Sequence, residues 1–469
     1  YSMNKIFKVI WNRTTQSLVV TSELAKGQVK SSSDTHGESK SSLGKIFKLS
    51  ALSLLLLDVT STAYAAIPEG SIARGVVQAV AIGGGSSTDA HGAVVVGAAS
   101  RATGGVKGIA IGHTVVANGQ DAVAIGSNSN AQTEAVAIGR LANAAADGVA
   151  VGNEAKAVAN STSLGNKAKA FSLGTIAIAS GGKDTTATGN GAIAIGSEAV
   201  SNGNNAVALA ANANATGKKA IAIGSDSKSL AESTLAIGNN ASASAYTATA
   251  LGTNAAASGQ KAIAISAGPN STTATELAAI AIGSDSKALG NSSLAIGDSA
   301  NAIQENAIAV GRNSNASNIG ATAIGNNANA AIIATAVGNN TAASGRGASA
   351  FGTSANATGA QATAIGFLAK ATNTNTTAIG QNASAAGTDS IALGSTANAT
   401  SNDSVAIGNG ANAKNLSDVA LGAGSVTGAR NSLTSIKVGG VEVGNNGKSS
   451  GTAVLAVGNS TAARQVQYV

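Results

Sequence analysis

The sequence contains no cysteine. Zinc ribbons, thiol redox centres and cysteine nucleophiles are thereby excluded, and so is a mispairing hazard for a chain crossing an oxidising compartment unfolded. Aromatic residues are nearly as scarce, at 2% of 469 residues. Beyond residue 66 they are Phe171, Tyr246, Phe351, Phe367 and Tyr468. A globule of this length fills its interior with large side chains, so a thick three-dimensional core is not expected. Disorder is not expected either, because 44% of the residues are apolar and disorder goes with low hydrophobicity. What remains is a thin core repeated many times.

Clustered charge is also lacking. Of 29 basic and 22 acidic residues, eight and four lie in residues 1–65, leaving 21 and 18 scattered singly over the rest. Nucleic-acid binding needs a basic stripe, ideally with interleaved aromatics, so no nucleic-acid partner is expected. The three histidines, His36, His91 and His113, stand apart from any acidic cluster. No metal and no cofactor is expected. Asp226 and Asp285 recur in two copies of Gly-Ser-Asp-Ser-Lys, an echo of a repeat rather than the facing pair a glycosidase requires. The chain is therefore expected not to be an enzyme.

What is present begins with an address. Lys45-Ile-Phe-Lys48 leads into the apolar run Leu49–Leu57, then Asp58 and a stretch of small residues. That is a charged n-region, an h-region and a cleavage site. Ala63-Tyr64-Ala65 fits the A-x-A pattern, which places cleavage before Ala66. A membrane span would need ~20 apolar residues, and this run stops well short. Residues 1–65 are assigned to the signal and 66–75 to a lead-in.

From residue 76 a phrase ending in Ala-Ile-Gly returns about every fourteen residues. Its closing glycine stands at 83, 97, 112, 126, 139, 152 and 165, then at most steps to 422, with Ala179, Ala210 and Ser266 in the same slot. A short fixed period means one structural unit stacked on copies of itself. In Lys261–Ser266, Ala262 and Ala264 fall on one face and Ile263 and Ile265 on the other. Both faces are apolar, so this strand is expected to be buried on both. A second phrase, as in Asn212–Ala215 or Asn327–Ala330, alternates polar residues with Ala, the mark of a half-buried strand. Gly and Asn between the phrases suit left-handed corners. The expectation is an all-β parallel β-roll solenoid of about 25 turns, ~120 Å long at ~4.8 Å per turn. A roll alone needs one apolar face per strand, so the spare face requires another subunit. Representative residues of this trimer or roll core are Val123, Ile125, Ile221, Ile223, Ile263, Ile265, Ile308 and Val310. Two seventeen-residue steps, 179–196 and 266–283, each add three residues to a corner.

Two stretches resemble a known family. Met3–Lys30, with Met-Asn-Lys-Ile, Val9-Ile10-Trp11-Asn12 and Ser22–Gly27, resembles the extended signal peptide region of large autotransporters. Asp121–Gly126, Asn306–Gly311 and Asp403–Gly408 resemble the head repeat of YadA-like trimeric autotransporter adhesins. The resemblance implies a Gram-negative source, Sec-dependent export, type V secretion and a cell-surface location at the outer membrane. It implies a homotrimer of left-handed rolls, with Ile/Val strands toward the common axis. The head is set at 76–430. Residues 431–469 hold the last strands and the start of a neck, whose motif falls on Arg464, Gln465 and Val466. The family's stalk and membrane anchor are not recognised in the sequence.

The resemblance also implies attachment to host extracellular matrix of the collagen, fibronectin or laminin class, or to host cells, with self-association between bacteria. Candidate ligand-facing residues are Lys218, Lys219, Lys228, Lys287 and Arg312. A spacer that only extends is the alternative reading. An ice-binding solenoid would need a regular threonine ladder, of which only the cluster Thr374, Thr376 and Thr377 is evident. A carbohydrate-active solenoid would need grouped acids and aromatics.

Overall fold

The structure is a computed structural model that describes residues 7–12, 17–22, 72–73, 78–429, 435–438, 441–444 and 453–461. The signal cleavage residues Ala63, Ala65 and Ala66 and the neck residues Arg464, Gln465 and Val466 lie outside the described residues. Tyr1–Val59 forms one unit and Thr60–Val469 another. In the first, Phe7–Asn12 pairs antiparallel with Ser17–Ser22, Trp11 standing opposite Leu18.

The second unit is built of two parallel sheets, holding 26 and 25 strands among the described residues. Each strand bonds to the one a turn before and the one a turn after. One sheet collects the Ala-Ile phrases and is here termed the isoleucine sheet. Ile221–Ile223, for example, lies between Val207–Leu209 and Leu235–Ile237, with Ile221 opposite Val207 and Leu235. The other, the asparagine sheet, collects the second phrase: Asn214–Ala215 lies between Val200–Ser201 and Lys228–Ser229. Side chains alternate across a strand, and here the alternation sorts them by size. Ala213, Ala215, Ala220 and Ala222 point inward and are fully buried, while Ile221 and Ile223 point outward and are half-exposed. The same holds for Val123, Ile125, Ile263, Ile265, Ile308 and Val310.

Of the trimer or roll core expected for these residues, the roll half is corrected. The roll's own interior is alanine, and the largest fully buried apolar side chains are Val95 and Val115. The isoleucine and valine residues named above lie outside it, on the outward face. Alanine methyl groups fill most of the space between the sheets, with Val, Thr and Ser admitted at single positions, and a side chain as large as Ile or Leu pointing inward would overfill it. At many positions where Ser or Thr replaces an inward Ala, its hydroxyl returns a hydrogen bond to a backbone carbonyl, as Ser129 does to Gly126 (2.8 Å) and Thr341 to Gly352 (2.7 Å), whereas the hydroxyls of Ser201, Ser227, Ser293 and Ser390 make none.

Three positive-φ positions in a typical turn make its two corners. The closing glycine, such as Gly224 at φ 125°, begins one corner, and Asp226 at φ 59° completes it. Lys219 at φ 58° makes the other. Gly and Asn do not monopolise these positions: Lys107, Glu134, Leu141 and Ile333 also adopt them. The stack enforces the conformation, because the left-handed residue's N–H donates to the turn before it, as Lys219 does to Asn204 (2.8 Å) and Ile333 to Ile319 (3.0 Å).

Both long steps insert at the same corner, between Ile176–Ile178 and Thr185–Ala187 and between Ile263–Ile265 and Thr272–Ala274. They lie six turns apart, roughly 29 Å along the stack. At the far end, Leu455–Ala456 closes the isoleucine sheet by pairing with Val419–Leu421. An antiparallel hairpin, Ser435–Val438 with Val441–Gly444, occurs between those two strands in the chain.

Candidate functional surfaces

The outward face of the isoleucine sheet carries two columns of side chains. The column that ends each strand is apolar at every described turn, from Ile82 through Ile223, Ile265 and Phe351 to Leu421. Many of its members keep more than a third of their surface exposed, among them Ile82 (45%), Ile237 (37%) and Leu393 (42%). A contiguous apolar strip of this length is characteristic of an interaction face.

The column that begins each strand is less uniform. Over five consecutive turns it reads Thr322, Thr335, Ser349, Thr363 and Thr377, each in register with the next. This hydroxyl column escaped the sequence reading, which found only the cluster at 374–377. It is a single column bordered by apolar side chains, not a flat two-column ladder. Register counted from the closing glycines was the signal that could have found it.

The five candidate cations are exposed, but the structure does not bring them together. Lys218 and Lys219 sit at one corner, Arg312 at the opposite corner, and Lys228 and Lys287 on the asparagine sheet. Lys228 and Lys287 share a column four turns apart, roughly 19 Å. Lys218 faces Glu232 at 3.6 Å, and Lys287 faces Asp285 at 3.3 Å. Such exposed pairs contribute little to stability. Asp226 and Asp285 occupy one corner column, also four turns apart, which is too far for a paired carboxylate mechanism. Among the described residues no group of three His, Cys, Asp or Glu is placed to hold a metal ion. His113 Nδ1 is 3.0 Å from Thr114 Oγ1.

A concave feature does exist, beside the first insertion. A groove of about 560 Å³ is lined by Asn128, Asn130, Leu141, Asn143, Glu154, Lys156, Lys167, Lys169 and Asp184. Asp184 belongs to the inserted corner and ion-pairs with Lys169, and its neighbour Lys183 pairs with Glu198. Glu154 is held by Arg140 at 3.1 Å.

At the C-terminal end a fully buried carboxylate, Asp418, occupies an inward slot that Ala220, Thr234 and Ser404 fill elsewhere. Its Oδ1 accepts from Val454 N–H (2.9 Å), and its Oδ2 from Asn415 N–H (3.1 Å) and Asn415 Nδ2 (2.8 Å). Burial alone would raise its pKa. The hydrogen bonds from Thr427, Asn415 and Val454 outweigh that and hold it below its ordinary 3.8. Asp418 thereby fastens the last strand to the stack. Its partner Val454 lies 36 residues away, so nothing local in the sequence marked it.

A stack of equivalent turns, with one long apolar strip, exposed polar corners and, among the described residues, open grooves, defines a repeat-built solenoid. Its two signature segments fix the family. Residues 3–52 match the Extended Signal Peptide of Type V secretion system, and fourteen segments between 104 and 425, some of them overlapping, match the YadA head domain repeat. The chain belongs to the trimeric autotransporter adhesins, surface proteins exported by type V secretion. No curated protein sequence matches it. The head-repeat matches break at 140–158, 179–186, 210–214, 242, 266–273, 301 and 329–333, and two of these breaks, 179–186 and 266–273, coincide with the inserted corners.

Proposed function

We propose that this chain is the non-catalytic head of a surface adhesin, acting as a homotrimer of left-handed rolls with the outward isoleucine columns turned to a common axis. The observation that carries the proposal is the apolar column that ends every strand from Ile82 to Leu421. A face of that length left in water would be an aggregation liability, and a symmetric closed oligomer covers it without leaving an edge. Sec-dependent export to the surface of a Gram-negative cell accords with the signal region and the family. The ligands are host matrix proteins of the collagen, fibronectin or laminin class, or host cells, and heads on neighbouring bacteria associate with one another. Contacts repeated on successive turns are weak singly and add by multivalency.

The test is sedimentation equilibrium of the full chain, followed by solid-phase binding to the three matrix proteins. The expected species is three chains, 44.6 kDa each with the signal region retained, that bind saturably, with affinity falling gradually as turns are deleted. A β-rich monomer would overturn the argument from the apolar face. A trimer that binds none of the three would make the head a spacer.

A further inference from the structure

We propose that the groove beside the first insertion binds an acidic polysaccharide, one carrying sulfate or carboxylate groups along its length. The groove crosses five consecutive turns, from Asn128 and Asn130 to Asp184. One turn, ~4.8 Å, is close to the length of one sugar unit in an extended chain, so each successive ring meets the lining side chains of the next turn. Those groups suit a charged sugar. Glu154 and Asp184, the two carboxylates on the lining, are neutralised by Arg140 and Lys169. Lys156 and Lys167 have no ion-pair partner among the described residues and leave the groove cationic. The amides of Asn128, Asn130 and Asn143 offer donors and acceptors to hydroxyls. Leu141, 38% exposed, gives an apolar patch for the C–H face of a ring. No aromatic lines the groove, so charge rather than stacking selects the ligand.

Two further observations single out this place. Leu141, Asn143, Glu154, Lys156 and Asp184 all fall in the stretches where the match to the family repeat breaks off. Asn128, Asn130, Lys167 and Lys169 lie within matched segments, so the groove joins ordinary turns of the repeat to residues particular to this chain. The second insertion serves as a comparison. Its tip, residues 266–272, carries no charge and is tied down on Asn254, whose Nδ2 donates to Pro269 O at 2.7 Å.

The test uses the full chain, immobilised heparin as the sulfated probe, and dextran and poly-glutamate as neutral and acidic-peptide comparators. Heparin is expected to bind, more weakly as salt rises, with dextran inert. Lys156→Gln with Lys167→Gln should weaken heparin binding at least about tenfold through loss of two charge-assisted contacts. Lys156→Arg with Lys167→Arg should retain it, as should Lys228→Gln with Lys287→Gln, which sit on uninserted turns. Circular dichroism should be unchanged throughout, since the lysines are not in the core. Equal losses in the two Gln pairs would overturn the proposal in favour of diffuse surface charge. Poly-glutamate binding as tight as heparin would overturn it in favour of an acidic peptide. Matrix-protein binding by the Lys156/Lys167 variant should persist, so this site and the adhesin reading fail independently.

Discussion

Asp418→Asn should release the C-terminal strand from the stack while leaving the preceding turns folded. The substitution keeps the volume but replaces one acceptor oxygen with an NH₂ donor. Whichever way the amide turns, a donor then faces Val454 N–H or the Asn415 amides, where an oxygen now accepts at 2.8–3.1 Å. Hydrogen bonds to a charged group contribute ~1.5–3 kcal/mol, and a buried donor left unpaired costs a further ~1–3. A local loss of about 3 kcal/mol follows, read as faster hydrogen exchange at Val419–Leu421 and Val454–Ala456. Unchanged exchange there would refute the clasp. The wild-type protein should show the same release with acid. Because the folded pKa lies below the ordinary 3.8, the contribution is complete above that value. It is lost as pH falls through the depressed folded value. In the Asn variant that pH dependence should vanish.

Gly224→Val should produce a loss of similar size in the middle of the stack. A Cβ at Gly224 would stand 2.5 Å from the carbonyl oxygen of Gly238, on backbone that cannot yield without moving the next turn. The φ of 125° adds strain for a branched residue. Ala210 shows that the slot tolerates one methyl, at φ 110°, so Gly224→Ala should be the milder change. For Val the expected cost is on the order of 2–4 kcal/mol. In a stacked repeat each turn is stabilised by its neighbours, so the damage should appear as proteolytic nicking near residues 210–240 before global melting. Melting with no local nicking would show that the turns unfold as one.

The period, the two strands per turn and the corner insertions were legible because strand alternation and glycine spacing are local properties of the chain. Which face of Ala262–Ile265 turns inward was not. Alternation separates the two faces, but both are apolar, and only the narrow gap between the sheets assigns Ala to it. Non-local features were the least visible. Lys156 and Lys167 are eleven residues apart, less than one turn, and become lining residues of one groove only when turns of thirteen residues stack under the insertion. Asp418 reads in sequence as one more scattered acid. Lys219 was read as a candidate contact, whereas its backbone also makes a left-handed corner.

The hydrogen bonds between turns run along the stacking axis, and the covalent chain links each turn to the next only at the corners. Tension along that axis would load one turn's bonds at a time, so the solenoid should yield stepwise rather than snap. A freed turn of about fourteen residues pays out roughly 48 Å of chain where it had spanned ~4.8 Å. Single-molecule pulling should therefore give repeated steps of roughly 40 Å; one abrupt extension would contradict this. A head that unreels in this way lengthens under shear and keeps its remaining turns intact.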